Sequence, residues 1–232
     1  MPNIGGRPAT VAVDDIVRAG RELGMRRLSV KAVAVRLGVT ATALYRHVDG
    51  RWGLERLVGE SILAELRLRD DPRHGLERHL LSFALQLRGF MLEHPGLAGY
   101  LQLLFPRGDG GQRLLNTEVD ALVRRGYEPG AAIVLSGAVA QMTIAMTVSE
   151  ENSAAAEEAD GDGLDRERQA VRDRLSRDDR LAEPSAALPQ VPRPEYVRLL
   201  LTASIRGLVG SGPPGRPVAE MVADLATTGE GL

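Results

Sequence analysis

Residues 28–54, LSVKAVAVRLGVTATALYRHVDGRWGL, decide how the chain folds. Val30, Val33, Ala34 and Leu37 fall at i, i+3, i+4 and i+7, one face of a helix. Ser29 stands just before them, where a hydroxyl caps a helix start. Gly38 is the residue type that enters the left-handed conformation and stops a helix. Thr40 can then cap a second helix whose inward face is Ala43, Leu44 and Val48. Two short helices meeting at a Gly-containing turn describe a helix-turn-helix, in which the second helix enters the DNA major groove.

The competing reading is a plain three-helix core fragment. A core needs only Leu44 and Val48 from this segment, yet Tyr45, Arg46 and His47 are large and adjacent, so they fan outward. Thr40, Thr42 and Tyr45 offer hydroxyls to phosphates, and Arg51 offers a charge. Lys31, Thr42, Arg46 and His47 can hydrogen-bond base edges, while Ala41 and Ala43 can abut thymine methyls. The candidate DNA-binding set is therefore Ser29, Lys31, Thr40, Ala41, Thr42, Tyr45, Arg46, His47 and Arg51.

This segment resembles the DNA-binding head of the TetR family of bacterial transcriptional regulators. Val33-Ala34, Leu37-Gly38-Val39, Leu44-Tyr45, His47-Val48, Arg51 and Leu54 carry the resemblance. Val48 stands where many members have Phe, and Arg51 where many have Lys. The likeness covers residues 10–66; beyond them it extends only to length and a helical pattern. It implies an all-α fold, with an N-terminal three-helix helix-turn-helix head joined to a larger helical ligand-binding and dimerisation body. It also implies that Tyr45 and Arg51 clamp phosphate, and that Lys31, Ala41, Thr42, Arg46 and His47 face the groove.

Charge agrees with that division. Residues 1–60 hold ten Lys/Arg against six acids, a balance of +4, which leaves −6 on the rest of a chain of net charge −2. A basic head on an acidic body suits a protein that touches phosphates at one end. Apolar residues make up 44% of the 232, enough for a sizeable core. There is no cysteine, which excludes disulfides and thiolate metal sites or nucleophiles. The N-terminus has no apolar stretch of secretory type. Residues 129–149 lack charge and are long enough to span a bilayer, but Ser136, Gln141, Thr143 and Thr147 interrupt them. A helix buried in the body or at a subunit interface is the better account, and the expected location is the cytoplasm, with no membrane partner.

Along the chain, residues 1–9 read as a flexible arm, from which Arg7 can reach a minor groove. Thr10 is placed to cap a first helix with Val13, Ile16, Val17, Gly20 and Leu23 as its stripe, ended by Gly24. A linker helix follows from Trp52 to Leu66, and the head spans 10–66. The body, 67–232, reads as helical at 75–93, 97–105, 112–125, from 131, and at 195–209. Residues 150–163, acidic and small, read as a mobile loop. Residues from 211 read as a Gly/Pro-rich tail, frayed at its end.

Catalysis finds little support. His74 and His79 are five apart, not the four that brings two ligands together, so capping or solvent-facing histidines are expected. No phosphate loop and no nucleophile elbow occurs, so no enzyme, no cofactor and no metal are expected. The family resemblance implies instead that a small-molecule effector enters the body and releases double-stranded operator DNA. Candidate pocket residues are Leu87, Phe90, Met91, Tyr100, Leu103, Leu104, Leu122, Gln141, Met142 and Met146, with Gln86, Gln102 and Asn116 as further polar anchors. For any one of them a place in the core is the stronger reading, because pockets take few positions. Gly137, Ala138, Leu199, Ala203 and Gly207 are candidates for a homodimer interface, small enough for helices to approach closely. The expected function is a palindrome-binding repressor released by a small, mostly apolar ligand. The alternative is a constitutive or architectural DNA-binding protein without an effector.

Overall fold

The computed structural model describes residues 11–229, and the expected arm at 1–9, Arg7 and Thr10 lie outside them. The described residues are helical, with no strand among them. The order is α1 Val13–Leu23, a 3-10 turn Met25–Arg27, α2 Val30–Leu37, α3 Ala41–Leu44, α4 Gly50–Leu63 and α5 Leu76–Glu93. It continues with α6 Leu97–Leu103, α7 Asp109–Val123, α8 Pro129–Ser176, α9 Ala182–Ala186, α10 Arg193–Ser211 and α11 Val218–Gly229. Two compact units result. One takes the residues up to 68 together with 93–117; the other takes 69–92 and the residues from 118 on.

In the first unit α1 packs on α2 and α4. It starts after Ala12, whose N–H donates to the Asp15 carboxylate at 3.2 Å, so the acid in the first turn supplies the cap. Ile16, Ala19 and Gly20 face inward, whereas Val13, expected on the stripe, is exposed because it opens the helix at its free end. Leu54, Val58 and Ile62 bury the inner face of α4, and Leu66 is buried three residues past the end of that helix. A Cβ on Gly59 would stand 2.8 Å from the Tyr100 ring, so only glycine lets α6 lie this close to α4. Tyr100 then donates its hydroxyl to Glu60 Oε1 at 2.9 Å, and the Gly111 N–H donates to Glu60 Oε2 at 2.9 Å. Burial, and after it the Glu60 carboxylate, push the Tyr100 phenol above its ordinary range.

In the second unit Leu80, Phe83, Ala84, Leu87 and Met91 form the expected apolar face of α5. His79 joins them at 3% exposure, which corrects the expectation of a capping or solvent-facing histidine. Burial is tolerable because both ring nitrogens are met: Nε2 lies 2.9 Å from Glu118 Oε1 and Nδ1 3.1 Å from Asp70 Oδ1. Asp70 in turn accepts from Arg125 at 2.6 Å and from Arg124 at 2.8 Å.

Two expectations for this unit are overturned. Residues 150–163 are helical, as part of α8, rather than a loop. Ala and Glu, which dominate there, are strong helix formers, and no proline interrupts them. The one break is Asp160, at φ −157° and ψ 75°, whose carboxylate accepts from the Gly163 N–H at 2.8 Å and caps the second stretch. The Gly/Pro-rich stretch after 211 is not irregular throughout, since α11 forms and buries Met221. The uncharged stretch of α8 is buried along one side, by Ala131, Leu135, Val139 and Ile144, while Ile133 and Val134 are 49% and 46% exposed. By length and composition α8 is apolar enough to cross a membrane, with 44% of its most apolar window buried. Its hydroxyls are satisfied within the helix, Thr143 donating to the Val139 carbonyl at 2.7 Å and Thr147 to that of Thr143 at 2.8 Å.

The Asp70 cluster makes stability depend on pH. The Arg125 guanidinium, helped by Arg124, holds the Asp70 carboxyl well below the usual carboxylate range. A depressed carboxyl contributes stability that is present above its unfolded pKa, about 3.9, and is lost as pH falls below it. Asp70→Asn is expected to lower stability at neutral pH, and the gap to the parent chain should close as the pH drops below about 4. Urea unfolding across that range measures it; a gap that stays constant would remove Asp70 from the account.

Candidate nucleic-acid interface

The helix-turn-helix forms by the caps that its residues supply. Ser29 Oγ accepts from the Ala32 N–H at 3.1 Å and starts α2. Gly38, at φ 67° and ψ 31°, is left-handed and ends it, its N–H donating back into the last turn. Thr40 Oγ1 accepts from the Ala43 N–H at 3.3 Å and starts α3. That helix is a single turn, shorter than the amphipathic pattern through Val48 predicts. Helical hydrogen bonding nonetheless carries past its end, with the Val48 N–H donating to the Leu44 carbonyl at 3.1 Å and the His47 N–H to the same oxygen at 2.8 Å. Asp49 and Gly50 then break the run and open α4.

Two side chains hold this segment down. Leu44 is fully buried and Val48 is 5% exposed, while Ala43 is half-buried. Everything else is turned out: Thr40, Ala41, Thr42, Tyr45, Arg46 and His47 are exposed, as are Ser29 and Lys31 on the neighbouring helix. All nine candidate residues therefore lie at the surface of one small helical unit. Lys31 and Arg46 form no hydrogen bond or ion pair among the described residues, which leaves both charges available to an anion. Arg51 differs. Its Nε donates to Glu55 Oε1 at 2.6 Å, one turn along α4, although its side chain is 75% exposed. Spacing of i, i+4 makes such a pair legible in sequence.

The candidate ligand residues divide between the units. Leu103 and Leu104 are exposed and line a cleft of about 590 Å³ with Trp52, Arg56, Pro106 and Arg107, all of the first unit. Tyr100 is not in that cleft; it is core, closed over by the Arg107 guanidinium 4.5 Å from its ring. In the second unit Leu87, Met91 and Leu122 are also core. Phe90 and Met142 are half-buried and Gln141 is exposed. Met146 lines a separate cleft of about 440 Å³ with Ser149, Val191, Arg193, Tyr196 and Leu200. Gln86, expected as a polar anchor, instead clasps the backbone of Arg69, accepting from its N–H at 2.8 Å and donating to its carbonyl at 3.0 Å. Trp52, Arg56 and Arg107 escaped the sequence reading; an aromatic residue on the polar face of α4 was the available signal.

The interface candidates on α8 and α10 lie on the surface of the second unit. Gly137, Leu199, Ala203 and Gly207 are exposed and Ala138 is half-buried. The buried face of α10 is Val197, Leu201 and Ile205, so its stripe of Tyr196, Leu199, Leu200 and Ala203 is left open.

No model of a known protein family matches the sequence. An HTH-type transcriptional regulator of Saccharopolyspora erythraea is 34% identical over 89 residues, 37% of this chain and 38% of that protein, so the match spans little more than a third of that relative. Solved structures match over nearly the whole chain. The Streptomyces coelicolor TetR family protein ActR in complex with actinorhodin superposes with a TM-score of 0.72 at 21% identity, covering 88% of this chain and 99% of that one. BioQ of Mycobacterium smegmatis gives 0.62 at 19% identity over 87% and 99%. A TetR variant of Acinetobacter baumannii AYE in complex with minocycline gives 0.58 at 21% identity over 84% and 92%. With a helix-turn-helix at its N-terminal end and a larger helical body after it, this chain has the fold of the TetR-family transcriptional regulators.

Proposed function

We propose that this chain is a TetR-type transcriptional repressor of the cytoplasm. In this reading it binds a palindromic DNA operator as a homodimer and lets go when a small, mostly apolar molecule binds. The observation that carries the DNA-binding half is the exposed fan of Thr42, Tyr45, Arg46 and His47, held rigid from beneath by Leu44 and Val48. Nothing in the packing of the first unit calls for these side chains, while phosphates and base edges do. Residues 10–66 are the DNA-binding part, and 67–232 the part that dimerises and takes the effector.

Dimerisation is supported by the open apolar stripes, Ile133 and Val134 on α8 and Leu199 and Leu200 on α10. Exposed apolar surface beside small residues suits a two-fold interface that uses the same patch twice. The effector half draws on the relatives, since ActR and the TetR variant are each seen with a small molecule.

Arg51→Ala should weaken binding to all sequences alike and flatten the salt dependence by about one unit of slope, as losing one phosphate contact does. Arg46→Ala should instead relax discrimination at one base pair. Titrations of both variants against specific and random duplexes decide it; two unchanged affinities would place the DNA surface elsewhere.

Ala203→Arg puts a charge into the proposed interface and should give monomers with feeble operator binding. Sedimentation showing an unaltered dimer would move the interface off α10.

Release by an effector obeys reciprocity: a molecule that loosens DNA must itself bind more weakly, by the same factor, when the operator is present. Calorimetry with compounds that raise the melting temperature, with and without operator, measures this. Equal affinities would favour a constitutive DNA-binding protein.

A further inference from the structure

The cleft between the start of α4 and the end of α6 has a composition that no packing role accounts for. Trp52, Leu103 and Leu104 are all large, apolar and exposed, at 56%, 59% and 65%. Contiguous apolar surface of this kind marks a binding site. Two guanidiniums stand in the same wall, and no carboxylate does. Arg56 is exposed and has no hydrogen bond or ion pair among the described residues.

Arg107 is the more telling of the two. Its side chain is 8% exposed and packs over Tyr100 at 4.5 Å and over Trp52 at 5.3 Å. Its Nη2 donates weakly to the Trp52 carbonyl at 3.3 Å. Its Nη1 is buried with no hydrogen-bond partner; the Glu55 carboxylate lies 3.9 Å off, in ion-pair range but not bonded, and is already held by Arg51. A buried guanidinium short of an acceptor is costly, and a cation held on an aromatic wall is a place where an anion is welcome.

We infer that this cleft is a binding site for a small planar aromatic carboxylate, its ring laid against Trp52 and Leu104 and its carboxylate turned to Arg56 and Arg107. At about 590 Å³ the cleft has room for a two- or three-ring molecule. The site belongs to the unit that carries the helix-turn-helix. Arg51 also lies near this indole, 5.9 Å from its centre, so an occupant bears on the proposed phosphate clamp. That consequence rests on the repressor reading; binding to the cleft does not, and the test uses the whole chain without DNA.

Naphthoate is the probe, with naphthylmethanol as its neutral counterpart. The chain has one tryptophan, so one indole N–H signal in a proton–nitrogen spectrum reports on the cleft while calorimetry gives affinity. Naphthoate is expected to shift that signal saturably and to bind about tenfold more tightly than the alcohol, the factor that a charged hydrogen bond adds. Arg56→Gln should erase the acid's advantage while leaving the alcohol untouched. Leu104→Ser should weaken both probes alike. Both positions are exposed, and unchanged circular dichroism confirms that the variants fold. A still indole signal with no heat from naphthoate would overturn the inference. So would equal affinities for acid and alcohol, or an advantage for the acid that survives Arg56→Gln.

Discussion

The carboxylate of Glu60 is the point on which the first unit turns. It sits in the last turn of α4 and accepts from two groups far along the chain, the Tyr100 hydroxyl and the Gly111 N–H. Each of its oxygens takes one of them, so a single side chain binds α6 and the start of α7 to α4. The contact is possible only because Gly59, its neighbour, leaves the Tyr100 ring room to lie flat on the helix. Residues 93–117 thereby belong with the helix-turn-helix and not with the segments that flank them in sequence. Trp52, Arg56, Leu103, Leu104 and Arg107 meet in one cleft for the same reason.

The second helix of the helix-turn-helix shows how little regular structure an exposed polar surface needs. Only one turn is regular helix, and two buried side chains, Leu44 and Val48, fix it. Capping does the rest. Thr40 and Ser29 each satisfy a backbone N–H that a short helix leaves unpaired, and the left-handed Gly38 reverses the chain between them. A short helix is marginal alone, so the segment depends on being laid across α2. Outward residues are then free of any structural duty.

The second unit spends buried charge where the first spends glycine. His79, Asp70, Glu118 and Arg125 are all largely buried, and each is met by another. Such a cluster is a weak source of net stability but a strong source of specificity, because removing one member leaves the others unpaired. The same unit leaves a long apolar stripe of α8 and α10 open. The polar cluster is closed by mutual contacts, while the apolar stripe stays exposed.

Sequence alone reached the helix-turn-helix nearly to the residue. Its signals are local: a period of 3.6, two hydroxyl caps, one glycine, and side chains too large to hide. Ser29, Thr40, Gly38, Leu44 and Val48 act where their chemistry put them. The same local rules place His79 on the apolar face of α5, between Leu76 and Phe83, and favour a helix over the Ala- and Glu-rich residues 150–163. Other features had no local signal. Whether Tyr100 is pocket or core depends on a carboxylate forty residues away in sequence, and so does the cleft around Trp52 and Arg107. Local pattern chooses which face of a helix is apolar; only the packing of distant segments decides whether that face is closed, shared or open to a ligand.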